Sequence, residues 1–398
     1  MVTYYYHRQV TPSNIVSVSW SDHLIFGEGD GRLHSVPALG RRMSLWQEAL
    51  GASLIHWRCS RARIRGRYCA AKGHKHFFQA RKPVMDWDDF EVVPDLAHEL
   101  GMLAHLYVTV FDEGWPLPPK RVREKSYHNA MHYRHVSFQT EFSRKHPEYT
   151  VADRSGRRRQ WGVMCLAYPE VRGHFIQRFT ALVDEGGFDG LFLCLRSQSR
   201  PADHADQFGF NEPVRNDFLA RYGRDIRKDE FDVQQRRDLL GDYLTLFLSE
   251  LRSSMCGRGV QMGVGLPRGS VLGPPLGNTV LQWVAWIENG IVDYLVIGQN
   301  SCQCPSMWHQ IWPMHRGTGY VQNYLNGSNM PSLAEDLDRN YKPALTKGNT
   351  RLYVARQWDE PSEKEESFLL SHPAVAGLVF SSFRFDNPVP VTRNSWIA

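Results

Sequence analysis

Eight apolar runs of strand length, parted by segments with helical period, constrain this chain more than any other feature of its sequence. The runs are IVSVSW (15–20), ASLIHW (52–57), LAHLYVTVF (103–111), GLFLCL (190–195), VQMGVGL (260–266), VDYLVIG (292–298), RLYVARQW (351–358) and AGLVFSSF (376–383). Most stay apolar at consecutive positions, the pattern of parallel strands buried on both faces. Helical stretches fit between them. Segment 169–187 opens with Pro169 and Glu170, carries Val171, Phe175, Phe179, Leu182 and Val183 on one stripe, and closes on paired glycines. Segment 233–255 repeats the design with Leu240, Tyr243, Leu244, Phe247, Leu251 and Met255 before Gly257. Strand–helix alternation at this length points to a (β/α)8 barrel or a doubly wound sheet. The count of eight, with no glycine-rich phosphate loop, favours an α/β chain folded as a single (β/α)8 TIM barrel. A further run, GYVQNYL (319–325), fits a hairpin or displaces one of the eight.

No Pro/Ser-rich linker, repeat or low-complexity segment interrupts the sequence, so 1–398 reads as one catalytic barrel domain with long loops. The long loops follow strand 3 (112–168) and strand 4 (196–230). In a barrel both lie on the C-terminal face, where active sites are built. Hydrophobic residues make up 42% and charged residues 22%, the balance of a globular chain. The formal charge of +5 is modest and local, arising in runs such as HWRCSRARIRGRY (56–68) and GRRRQW (156–161). Such runs occupy a solvated face or meet an anionic ligand, a uronate or sulfate as readily as a phosphate. No nucleic-acid-binding module is recognisable, so no nucleic-acid partner is expected.

Seven scattered cysteines imply no disulfide framework, and Cys302-x-Cys304 with His309 lacks the second pair a zinc site needs. His128, His132 and His135 fall at i, i+4 and i+7 and would share a helix face, but no carboxylate or cysteine partner is evident. Neither a metal nor another cofactor is therefore expected. No apolar run reaches transmembrane length and MVTYYYHRQV is not a signal peptide, so no membrane partner is expected. Oligomeric state and localisation stay open at this level.

HPEYTVADRSGR (146–157), LAYPEVRGHFIQRF (166–179), FDGLFLCLRSQS (188–199), GFNEPVRNDFLARYGRDI (209–226) and AGLVFSSFRFDN (376–387) follow one another in order along most of the chain. Together they resemble the glycosyl-hydrolase-like family 10 group, bacterial barrel proteins linked to polysaccharide breakdown. The resemblance implies a (β/α)8 barrel, a carbohydrate substrate and an extracytoplasmic (periplasmic or secreted) place of action. Many such relatives carry Asp residues at the end of strand 4, where this sequence has Cys194, Arg196 and Ser197.

Hydrolysis of a glycosidic bond typically uses two carboxyl groups, one to protonate the leaving oxygen and one to attack the anomeric carbon or activate water. Strands 2, 5 and 6 end without an acid. Strand 1 ends at Asp22, strand 3 at Asp112-Glu113, strand 7 at Asp359-Glu360 and strand 8 at Asp386, while the strand-4 loop supplies Asp203, Asp206 and Glu212. Asn211-Glu212-Pro213 resembles the triplet that carries the acid/base in retaining glycosidases of the large barrel clan. It reads equally as a helix start, with Pro213 in the first turn and Asn211 or Glu212 capping it. The expected catalytic set is Glu212 as proton donor beside Phe210, Asp359 as its partner, and Asp203 and Asp206 in reserve.

Arg58 and Arg196 stand just beyond buried strands, where each would clamp a carboxylate or sulfate or pair with a neighbouring acid. Asp112 is expected to hold a sugar hydroxyl and His204 to tune proton transfer. Trp57, Trp115, Trp161 and Trp358 are expected to stack on sugar faces or to pack internally. The resulting expectation is a glycoside hydrolase acting on a polysaccharide or oligosaccharide, an acidic one included, by a two-carboxylate mechanism. The alternatives are a non-catalytic carbohydrate-binding barrel, and a polysaccharide lyase with a Tyr or His base and an Arg that neutralises a uronate.

Overall fold

The structure is a computed structural model that describes residues 14–18, 35–58, 66–70, 87–111, 113, 136–195, 206–272, 279–298, 331–356 and 362–382. Eight parallel strands close into a barrel: β1 (Asn14–Val18), β2 (Ala52–Trp57), β3 (Leu103–Thr109), β4 (Gly190–Cys194), β5 (Gln261–Gly265), β6 (Tyr294–Ile297), β7 (Arg351–Ala355) and β8 (Gly377–Ser381). Each strand pairs with the next in sequence. The ring closes between β8 and β1, with Ile15, Val16 and Ser17 opposite Val379, Phe380 and Ser381. All eight apolar runs of the sequence supply a barrel strand; the run at 319–325 lies outside the described residues.

Between the strands run α1 (Val36–Leu50), α2 (Asp89–Glu99), α3 (Pro169–Glu185), α4 (Val233–Ser254) and α5 (Trp283–Glu288). Next come α6, which passes from Leu333–Asp336 through a π turn at Leu337–Tyr341 into Lys342–Leu345, and α7 (Glu363–Ser371). Polar caps fix where several of them begin. The side chains of Ser35, Asp88, Asp232 and Ser362 accept hydrogen bonds from first-turn N–H groups, and Ser332 with Glu335 forms a reciprocal capping box. The apolar stripe of α3 is buried against the barrel as its periodicity predicts, with Val171, Phe175 and Phe179 fully enclosed. This layer between strands and helices holds most of the apolar core.

A second, smaller core fills the lumen. Ile15, Leu54, Tyr107, Phe192, Tyr294, Val296, Tyr353 and Val379 project inward from their strands, so the barrel is packed rather than open. Two strand glycines make room for the large rings. A Cβ on Gly263 would lie 1.9 Å from Cζ of Tyr294, and one on Gly190 would lie 2.6 Å from Nε2 of His105.

The loops after β3 and β4 carry structure of their own. The first contains a strand, Val136–Thr140, antiparallel to Gly66–Ala70 from the loop after β2, and then a hairpin of Thr150–Ala152 with Arg159–Met164. The second contains a helix, Glu212–Tyr222. Gly209 and Phe210 both donate their N–H groups to the Ala152 carbonyl, and Asp153 bridges to Phe208. The two insertions are thereby stitched into one layer on the end of the barrel where the strands finish.

Candidate functional site

Strand parity decides what reaches the mouth of the barrel, because successive side chains point to opposite faces. On β2, Leu54 and His56 face inward and Ile55 and Trp57 face the helices. Arg58 continues the inward series. Its guanidinium lies 3.4 Å from Oγ1 of Thr109 and over the Tyr107 ring, at 5.8 Å from the ring centre. Thr109 and Tyr107 are inward positions of β3, and Cys194 is the last inward position of β4. The described floor of the mouth is therefore a largely buried guanidinium with a hydroxyl, a phenol and a thiol around it.

Trp57 is a correction to the expectation of sugar stacking. It is fully buried on the helix side, where its indole N–H donates to Oδ2 of Asp89 at 3.0 Å. Period-2 alternation makes this unavoidable once Arg58 faces the mouth.

Glu212 takes the helix-start role. It opens the inserted helix behind its N-cap Asn211, half exposed, with Oε1 3.1 Å from Arg215 and Oε2 3.0 Å from Arg227. Phe210, expected beside it as an apolar wall, is turned instead under the buried Arg236, whose guanidinium sits 4.4 Å from the ring centre. Asp206 is likewise occupied. It adopts a left-handed backbone (φ 60°), accepts from Arg236 at 2.9 Å, and pairs with both nitrogens that Arg237 presents to it. Burial pulls the Arg236 guanidinium down to about 10, and the Asp206 carboxylate acts in the opposite direction. These two acids serve as anchors of the strand-4 loop.

Glu113, just beyond β3, is fully buried and directed at Arg178 of α3, 3.2 Å away, with its second oxygen lacking a hydrogen-bond partner among the described residues. Its backbone joins Gly162 and Thr140, so it fastens the start of the strand-3 insertion. Asp203, Asp359, Asp112, Trp115, Arg196, His204 and Trp358 lie outside the described residues, as do Asp22, Glu360, Asp386, Cys302, Cys304, His309 and the histidines at 128, 132 and 135. Among the described residues no group of three or more His, Cys, Asp or Glu is placed to hold a metal, and no helix is long and apolar enough to cross a membrane.

A polar cluster that pattern reading passed over lies inside the lumen. The Tyr294 hydroxyl is 2.9 Å from Nε2 of His56 and 2.8 Å from Nδ1 of His105, all three residues being buried. The hydroxyl donates to one imidazole and accepts from the other, while the far nitrogens, His56 Nδ1 and His105 Nε2, have no partner among the described residues. Burial holds both imidazoles neutral: His105 is pushed down to about 3, with Arg351 adding to the effect, and His56 goes well below its ordinary value. The signal available in sequence was a histidine within each of two otherwise apolar strands.

The closed (β/α)8 barrel is similar in fold to several solved structures. Over 93% of its length the chain is similar to a β-galactosidase from the psychrophilic Marinomonas ef1, at 12% identity and a TM-score of 0.51. An α-amylase from Lactobacillus plantarum gives a TM-score of 0.48 at 12% identity over 94% of this chain and 71% of that one. The α-L-fucosidase isoenzyme 2 from Paenibacillus thiaminolyticus gives 0.47 at 10% identity over 97%. The chain spans about half the length of the β-galactosidase and the fucosidase, 53% and 48% respectively. At such identities the likeness is one of fold alone. No protein-family model and no curated protein matches the sequence.

Proposed function

We propose that this chain is a glycoside hydrolase acting on an anionic polysaccharide or oligosaccharide as one catalytic barrel domain. The observation that carries the reading is Arg58, turned inward at the C-terminal end of β2 and set over Tyr107 beside Thr109. A planar guanidinium at the mouth of a closed barrel suits a uronate carboxylate or a sulfate, which it grips through paired N–H donors. A barrel shared with a β-galactosidase supports the class, although a fold by itself does not define a chemistry.

The roles follow by elimination. With Glu212 and Asp206 engaged by arginines, the proton donor passes to Asp203 of the strand-4 loop, and Asp359 beyond β7 is its partner. Asp112, Trp115, Arg196, His204 and Trp358 are the proposed substrate contacts. Asp203→Asn and Asp359→Asn are each expected to lower turnover by about 10²–10⁴-fold. Arg58→Gln is expected to raise KM for acidic substrates and to leave neutral ones unchanged. Reducing-end release from a panel of neutral and acidic polysaccharides is the decisive measurement. Full activity in both Asp variants would remove the assignment.

A second reading has one specific observation in its favour. The last inward position of β4 is a buried thiol, Cys194, where the resembled family carries acids. A barrel that binds a sugar without cleaving it would retard in an affinity gel yet release no reducing ends from any polymer.

A further inference from the structure

We propose that the hairpin of Thr150–Ala152 and Arg159–Met164 is an accessory surface that holds a stretch of anionic polysaccharide outside the barrel mouth. The inference rests on the carbohydrate reading above and concerns a different part of the molecule.

The turn and its second strand carry Arg154, Arg157, Arg158 and Arg159. Arg154 donates to the carbonyls of Arg227 (3.3 Å) and Asp229 (2.6 Å), and Arg159 to those of Thr150 (2.9 Å) and Glu148 (3.2 Å). A carbonyl fixes a guanidinium without cancelling its charge. Arg157 is exposed, and among the described residues Arg154, Arg157 and Arg159 form no ion pair. The acids near them in the structure are committed elsewhere. Asp153 turns its carboxylate onto Ser155 and the N–H groups of Arg157 and Arg158, Asp229 accepts from the Asp225 N–H, and Glu212 is held by Arg215 and Arg227. Neutral donors leave the charges of Asp153 and Asp229 in place, so Arg154, Arg157 and Arg159 give the hairpin a net positive charge.

Trp161 supplies the second observation. Burial alternates along the strand, so that Gln160 and Gly162 are enclosed while Arg159 and Trp161 share the partly exposed face. A flat ring beside rigidly held guanidiniums suits a sugar face and its carboxylates together, a combination that duplex nucleic acid does not ask of a surface ring. The hairpin also stands at the end of the barrel where the strands finish, joined to the strand-4 loop through Phe208, Gly209 and Phe210. A chain held there would run on toward the mouth.

The test is affinity electrophoresis through gels containing polygalacturonate, its fully methyl-esterified form or duplex DNA, with reducing-end release measured in parallel. The wild-type protein should be retarded by polygalacturonate and less so by the ester. Arg157→Glu should weaken retardation by about 3–10-fold in polygalacturonate only, and Trp161→Ala by a similar factor in both polymers, with Trp161→Phe close to wild type. Circular dichroism reports whether each variant is folded. Unaltered wild-type migration in polygalacturonate would overturn the proposal. So would wild-type-like retardation of both variants, or equal retardation by DNA that is indifferent to Trp161→Ala. Hydrolysis that persists while retardation is absent sinks the hairpin alone; retardation with no hydrolysis of any polymer sinks the hydrolase reading alone.

Discussion

At Asn211 the chain buries an amide that another loop depends on. Its Oδ1 accepts from the Ala152 N–H at 2.9 Å, and its Nδ2 donates to the carbonyls of Thr150 at 3.0 Å and Glu148 at 3.4 Å. Asn211→Ala should strand the enclosed Ala152 N–H, while the Thr150 and Glu148 carbonyls keep Arg159, and so destabilise the fold by about 1–3 kcal/mol in urea unfolding. Glu212→Gln should behave differently, because half-exposed ion pairs contribute about 0–1 kcal/mol. Its stability and its turnover should both stay near wild type, and a hundredfold loss of turnover would restore Glu212 as the proton donor. The triplet in sequence cannot separate these roles. A helix start and a catalytic acid ask for the same three residue types, and the partners of Asn211 lie some sixty residues earlier. Trp57 failed for a similar reason: the end of a strand is legible, but which face its last residue takes is set only once the register is.

At the scale of elements, the long loops are held by buried charge as well as by apolar contact. Asp206 ties the strand-4 loop to the first turn of α4 through Arg236 and Arg237, and Glu113 ties the strand-3 loop to α3 through Arg178. Arg236 is fully enclosed, with further bonds to the Phe208 and Asp206 carbonyls. Asp206→Asn keeps a residue tolerant of the left-handed backbone yet leaves that guanidinium without its counter-charge. It should destabilise the protein by about 3–5 kcal/mol, measured by denaturant unfolding. A change below about 1 kcal/mol would show that the carbonyls suffice. The sequence shows acids in these loops and allows Arg58 and Arg196 to pair with a neighbouring acid, but it does not point from Asp206 to α4. The actual partners belong to a helix whose first turn became a neighbour only through the barrel's closure.

Across the whole molecule, the fold was legible because parallel strands buried on both faces cannot be mistaken for amphipathic ones, and eight of them with helices between leave few topologies. What fills the lumen was not legible, since inward and outward positions of a doubly buried strand look alike. His56 and His105 sit at inward positions, and their neutral state is a property of the closed barrel. Both lie against the Tyr294 hydroxyl, with Arg351 adding positive charge near His105 and, among the described residues, no carboxylate bound to either ring. Their native pKa values are lowered, to about 3 for His105 and well below 6.5 for His56. The unfolded chain therefore takes up two protons below about pH 6.5 that the native barrel refuses, and stability falls as pH drops through that value. The pair should contribute a slope approaching 2.7 kcal/mol per pH unit, or about 3–4 kcal/mol between pH 7.5 and 5.0. Urea unfolding across that range is the measurement, with His56→Gln as the comparison. Removing one of the two titrating groups should take about 1.4 kcal/mol per unit from the slope whatever it does to stability at pH 7.5. A slope unchanged in His56→Gln would mean that the imidazoles find protons in the native state, and that the lumen is wetter than its packing implies.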